Sequence, residues 1–110
     1  MREVNTFVGE NCIVLNVKTN CIYPACAIIS KIRDNEWYFD RLMVPKEARH
    51  QGFASRLMEK LVSLLDEKDI ELINEVHGRG DLNNDQLVVF YKKYGFQETE
   101  RPYRLLRLPH

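Results

Sequence analysis

Leu42-Met43-Val44-Pro45-Lys46-Glu47-Ala48-Arg49-His50-Gln51-Gly52-Phe53-Ala54-Ser55-Arg56-Leu57 decides the fold. Its apolar run ends at Val44, a polar loop follows, and a helical period begins near Gly52. A strand that feeds a glycine-containing turn and then a helix makes an anion site. The first helical turn has unpaired backbone N–H groups, and the helix dipole adds positive potential there. Gly52 has no Cβ, so an anion can approach its backbone closely, and Ala54 is small for the same purpose. Arg49 adds a planar cation whose fork matches phosphate oxygens. The Gly-Lys-Ser/Thr ending of a P-loop is absent, and so is the three-glycine dinucleotide fingerprint.

Outward from this stretch, the pattern predicts a strand meander, a helix, a strand and a second helix. Across residues 51–68, Ala54, Leu57, Met58, Leu61, Leu64 and Leu65 form one apolar stripe, with Arg56, Glu59, Lys60, Ser63 and Glu67 opposite. Upstream, residues 12–17, 25–33 and 37–44 read as strands, punctuated by Asn20, Tyr23-Pro24 and Asp34-Asn35. No helical period appears in residues 1–35. Downstream, residues 70–77 close a βαβ unit. Gly78-Arg79-Gly80-Asp81 reads as a loop whose Arg-Gly-Asp triplet arises by chance. Asn83 with Gln86 predicts a capping box, with Asn84 as the other cap candidate. Leu87, Val88, Tyr91 and Tyr94 make the buried stripe of that second helix. Gly95 takes the left-handed position that ends it. Residues 96–99 and 103–108 read as closing strands.

Composition bounds the function. The chain has 110 residues, enough for one domain (residues 1–110) with one core. Sixteen basic residues balance sixteen acidic ones. That balance argues against nucleic acid or an anionic membrane as the main partner. Arg101, Arg104 and Arg107, the one basic cluster, read as a solvated strand face. No apolar run reaches the roughly 18 residues of a membrane span. Met1-Arg2-Glu3-Val4-Asn5 lacks the apolar segment of a signal peptide. Cys12, Cys21 and Cys26 show no C-x-x-C spacing, so they read as reduced thiols of a cytoplasmic protein, with no disulfide frame and no metal site.

Arg49-x-x-Gly52-x-Ala54 resembles the acyl-CoA motif of the GNAT (GCN5-related N-acetyltransferase) superfamily. Asn84, Tyr91 and Gly95-Phe96 resemble the C-terminal signature of the same superfamily, and one helix and one strand separate the two motifs. The resemblance covers residues 36–98. It implies a mixed α/β (α+β) domain with the acyl-CoA N-acyltransferase fold. That fold has two main helices and a central sheet of about six to seven strands, splayed at the CoA site. It implies an N-acetyltransferase that moves an acetyl group from acetyl-CoA, a co-substrate, to a primary amine by direct attack in a ternary complex.

The site residues follow from the resemblance. Backbone groups of Leu42, Met43 and Val44 would pair with the pantetheine amides. Arg49, His50 and the amides of Gln51, Gly52, Phe53, Ala54 and Ser55 would take the pyrophosphate. Asn84 would bond the pantetheine arm or the leaving group, or serve as a plain cap. Tyr91 would protonate the departing thiolate, or serve as a core tyrosine. Asp40 and Glu36 are base candidates, sharing a strand face with Tyr38 and Leu42 under period-two alternation. Glu75 and His77 on the next strand compete. His50 stands where the family often has glycine, so its φ must avoid strongly positive values or carry strain. Phe53 is bulkier than the usual aliphatic residue. The family's two helices between its first two strands are missing, so the acceptor side should be open, or completed by another subunit. An open side suits a protein lysine or N-terminus as acceptor, and an exposed edge strand is a reason to form a homodimer. A non-catalytic CoA-binding or protein-interaction module is the alternative reading.

Overall fold

A computed structural model describes residues 3–77 and 82–110. The Arg-Gly-Asp triplet, within residues 78–81, lies outside the described residues. Nine elements follow in order: β1 (Asn5–Val8), β2 (Cys12–Val17), β3 (Ala25–Arg33), β4 (Glu36–Met43), α1 (Phe53–Glu67), β5 (Leu72–Glu75), α2 (Asn84–Lys92), β6 (Gln97–Glu98) and β7 (Arg104–Arg107). One short 3-10 turn, Lys46–Ala48, precedes α1. The strands form one seven-stranded sheet in the order β1-β2-β3-β4-β5-β7-β6. β4 and β5 run parallel, and the other described pairs are antiparallel. The mixed sheet with two helices is the expected fold class.

Alternation builds the core. Ile13, Leu15 and Val17 of β2 stand opposite Ile29, Ala27 and Ala25 of β3, and all six are fully buried. On α1, Phe53, Leu57, Leu61 and Leu65 recur every fourth residue and are buried with Met58. Burying each large apolar side chain contributes about 1.5–3 kcal/mol. Phe53, rather than Ala54, heads this stripe because it lies one helical turn before Leu57. Tyr91 of α2 stacks edge-on against Phe39 of β4. Both helices therefore cover the same sheet face, and their buried residues join one cluster. The opposite face carries the half-buried Val14, Ile28, Tyr38 and Ile73, and no helix among the described residues covers it. The turn from β1 to β2 is a tight one, closed by Gly9 N donating to Cys12 O at 2.8 Å.

Two local features depart from simple alternation. Ile28 pairs with Arg41 but Ile29 pairs with Phe39, so Asp40 is an extra residue in β4. This β-bulge bends the strand and resets its faces. Leu42 consequently joins Trp37 and Phe39 on the helix face, packed against the core, instead of sharing a face with Glu36 and Tyr38 as expected. The second departure is Arg107. It is only 3% exposed, ion-paired to Asp66 of α1 at 2.8 Å, and its Nε donates to Tyr94 O at 2.6 Å. Arg104 and Arg107 point to opposite faces, so the three C-terminal arginines do not make the solvated strand face expected of them.

Candidate active site

β4 and β5 pair only at Trp37–Leu72 and Tyr38–Ile73. Beyond that point β4 runs on to Met43 beside β3 alone, while Asn74 and Glu75 of β5 pair with Leu105 and Arg104 of β7. A wedge therefore opens between two parallel strands towards their C-terminal ends, where open α/β sheets place ligands. The bulge at Asp40 bends one wall, and β7 holds the other. Within the wedge, the β5-facing edge of residues 41–43 has no strand partner among the described residues.

The chain leaves β4 at this same end and enters α1. Arg49 Nε donates to Val44 O at 3.2 Å, which folds the loop back on its strand. His50 has φ 65, so the position where the family often has glycine does adopt the left-handed conformation, at a strain that an L side chain rarely carries. Gly52 caps α1 with φ 83 and offers no side-chain cap. Arg56 N makes the first helical bond, to Gly52 O at 3.1 Å. The first turn holds no acidic residue. Its N–H groups and dipole thus face a space that the N-cap does not fill, and a Cβ on Gly52 would meet nothing within 4 Å.

Below the wedge lies Tyr91, 7% exposed. The capping box that starts α2 is formed as expected: Gln86 N donates to Asn83 Oδ1 and Asn83 N donates to Gln86 Oε1, both at 2.9 Å. Asn84 is therefore the first helical residue and not the cap. Val88 and Tyr91 are buried, with Leu87 and Tyr94 packed against the core. Phe90, Phe96 and Phe39 surround the Tyr91 ring at centroid distances of 5.3, 5.6 and 5.7 Å. Gly95, φ 92, turns the chain after the helix. Burial pushes the Tyr91 hydroxyl up to about 12, and the side chain of Asn74 pulls it back. Asn74 is 4% exposed, and its Nδ2 completes no hydrogen bond. Sequence reasoning missed this residue. Its signal was a polar side chain at a position that Leu72 and Val76 mark as buried by alternation.

The acidic candidates lie on the other side of the sheet. Asp40 accepts from Ser30 Oγ at 2.5 Å. Glu75 lies 3.6 Å from Arg104 Nη1. Glu36 accepts from the Tyr38 hydroxyl, which raises the phenol's pKa, and sits 3.8 Å from Arg33 Nε. Glu36 belongs to the paired start of β4, away from the wedge. His77 is exposed and beyond β5. The fold thus sets Asp40 and Glu75 on the two walls of the wedge, at the open face, with Tyr91 on the helix side. Burial raises the Cys26 thiol, which opposes a thiolate role for it.

Comparison with known proteins bears on this geometry. The family of the acetyltransferase (GNAT) domain matches residues 8–98. No curated protein matches the chain by sequence. The PaiA N-acetyltransferase of Thermoplasma acidophilum, solved with coenzyme A, superposes with a TM-score of 0.68 at 17% identity over 89% of this chain and 61% of its own. The chain thus spans less than two thirds of that protein's length. The ribosomal-protein-S18-alanine N-acetyltransferase of Escherichia coli gives 0.67 at 20% identity, covering 90% of this chain and 68% of that one. Ard1 of Thermoplasma volcanium gives 0.64 at 27% identity, covering 92% and 72%. With the splayed sheet, the left-handed glycine turn and the family match over most of its length, the chain belongs to the GNAT acetyltransferase family.

Proposed function

We propose that this protein transfers the acetyl group of acetyl-CoA to a primary amine presented by another protein, either an N-terminus or a lysine. One observation carries the reading: the unpaired wedge between β4 and β5 leads to the uncapped N-terminus of α1, with Tyr91 beneath it. Backbone groups of Leu42, Met43 and Val44 take the pantetheine amides as a missing strand would. The amides of residues 51–55, with Arg49 and His50, hold the pyrophosphate. Asn84, at the start of α2, bonds the pantetheine arm. The amine attacks from the open sheet face, with Asp40 or Glu75 receiving its proton directly or through water. Tyr91 protonates the departing sulfur from below. Fixing the thioester beside the amine supplies much of the rate. The protein acceptor is supported by the uncovered face and by the E. coli neighbour, named for an alanine of ribosomal protein S18.

Thermal unfolding with acetyl-CoA, against adenosine triphosphate as control, tests the cofactor. A ligand at a hundred times its dissociation constant adds about 2.7 kcal/mol of stability. Thiol release from acetyl-CoA, with alanyl-terminated and lysine peptides as acceptors, tests the transfer. Stabilisation by both nucleotides alike, or none by acetyl-CoA, overturns the reading. A non-catalytic CoA-binding module is favoured by one observation, the burial that holds Tyr91 at about 12. In that case Tyr91→Phe leaves turnover and CoA binding as they were.

A further inference from the structure

We propose that Asn74 is a positioning residue for Tyr91: its Nδ2–H donates to the tyrosine oxygen as the phenol gives up its proton, and holds the tyrosinate that remains. This rests on the acid role assigned to Tyr91 above. Asn74 is the first β5 residue beyond the last β4–β5 pair, so it stands in the wedge. It lies on the helix face with Leu72 and Leu105, both apolar and fully or almost fully buried. A buried amide among such neighbours is costly unless its donors are used. The backbone of Asn74 is spent on β7, and the side chain reaches the Tyr91 hydroxyl. Yet Nδ2 completes no hydrogen bond in the resting protein. A donor kept unsatisfied beside a phenol that must become an anion has a use at that moment.

The chemistry needs such a donor. The amine nitrogen bonds to the thioester carbon, and the tetrahedral adduct collapses by breaking the C–S bond, whose electron pair goes to sulfur. Sulfur takes the Tyr91 proton and leaves as the thiol. The proton shed by the amine passes through Asp40 or Glu75 to solvent, and a proton from solvent restores Tyr91. An ordinary thiol has a pKa of about 8.5. Burial leaves the Tyr91 phenol at about 12 even with Asn74 beside it, a weak acid for this transfer, so any further loss of the donor works against it. Among the described residues, the surroundings of Tyr91 offer no cation to correct this. Its packing partners are Phe39 of β4, Phe90 of its own helix and Phe96 after it. Among the described residues, burial raises its pKa and Asn74 lowers it. An amide donor aimed at the oxygen stabilises the anion and lowers the barrier to proton transfer.

The test replaces Tyr91 by difluorotyrosine, whose phenol ionises nearer neutrality, in the full chain with CoA bound, and follows its absorbance against pH. Asn74→Leu is expected to raise that pKa by about one pH unit, a tenfold change in ionisation constant. An unchanged titration overturns the proposal. The unlabelled variants supply the second arm, using the acceptor found by thiol release. Asn74→Leu should lower kcat at least tenfold, leave KM for acetyl-CoA unchanged, and add nothing to the loss caused by Tyr91→Phe. Losses that add independently overturn it. If Tyr91→Phe alone keeps full turnover, the acid role itself is wrong. If Tyr91→Phe is impaired but Asn74→Leu is not, only the role of Asn74 fails.

Discussion

Tyr91 shows why a buried phenol is hard to assign from sequence. Its place on the apolar stripe of α2 is correct for a core residue, and its ring does stack on three phenylalanines. Its hydroxyl points to chemistry only because Asn74 lies beside it at the edge of the wedge. The two residues make opposite predictions. Tyr91→Phe removes only the hydroxyl, so the ring packing survives and thermal unfolding should barely change. Its kcat should fall by about 10² to 10⁴, the usual worth of a general acid. Asn74→Leu removes a buried donor that makes no hydrogen bond and should raise unfolding free energy by about 1 kcal/mol. Denaturant unfolding of both variants checks this. A loss of stability in Asn74→Leu would make the amide a structural residue. No sequence pattern could have shown the unsatisfied donor, because satisfaction depends on which strand edge is left unpaired.

At the scale of elements, the strand–turn–helix unit and the capping box were legible because their signals are local. Asn83, Gln86, Gly52 and Gly95 each act within a few residues of themselves. The bulge at Asp40 was not legible, since it is a mismatch in pairing between β3 and β4, and period-two reasoning across it misplaces Leu42. Nor was Arg107, whose burial depends on Asp66 far away in the chain. The two left-handed glycines among the described residues test how local an element's demands are. Gly52→Ala carries only the backbone strain of about 1–2 kcal/mol, because its Cβ meets nothing, and its larger effect should be weaker CoA binding. Gly95→Ala should destabilise more, since its Cβ would lie 2.8 Å from His110 Nε2 and 3.2 Å from Arg107 Nε. Asp66 ties α1 to β7, and its hydrogen bonds from Arg107 and from His110 N hold its carboxyl below the usual range. A depressed carboxylate contributes stability that is present above its unfolded pKa and lost as pH falls through the folded value. Asp66→Asn should therefore be less stable than the parent near neutral pH. The gap should close as acid protonates the parent's carboxyl, as read by unfolding at a series of pH values.

Across the whole molecule, one sheet divides two kinds of work. Its covered face holds both helices and a single core, and this rigid half sets the wedge. Its open face holds the acidic candidates and a mixture of apolar and charged side chains that no helix covers among the described residues. The wedge leaves part of the sheet unfinished: the strand neighbour that residues 41–43 lack on one side is supplied, in the proposed complex, by the amides of pantetheine. Backbone groups without partners exchange their hydrogens freely, and exchange slows when a ligand closes them. Hydrogen exchange with and without CoA should therefore show new protection at two separated places, Leu42–Met43 in β4 and residues 51–55 at the start of α1. The meander residues of β2 and β3, already paired on both sides, should change little. Protection confined to the start of α1 would describe a phosphate site without a pantetheine path, and protection spread evenly over the sheet would describe global stabilisation by mass action alone. Only the two-place pattern matches a ligand that lies along the gap between β4 and β5 and ends at the helix.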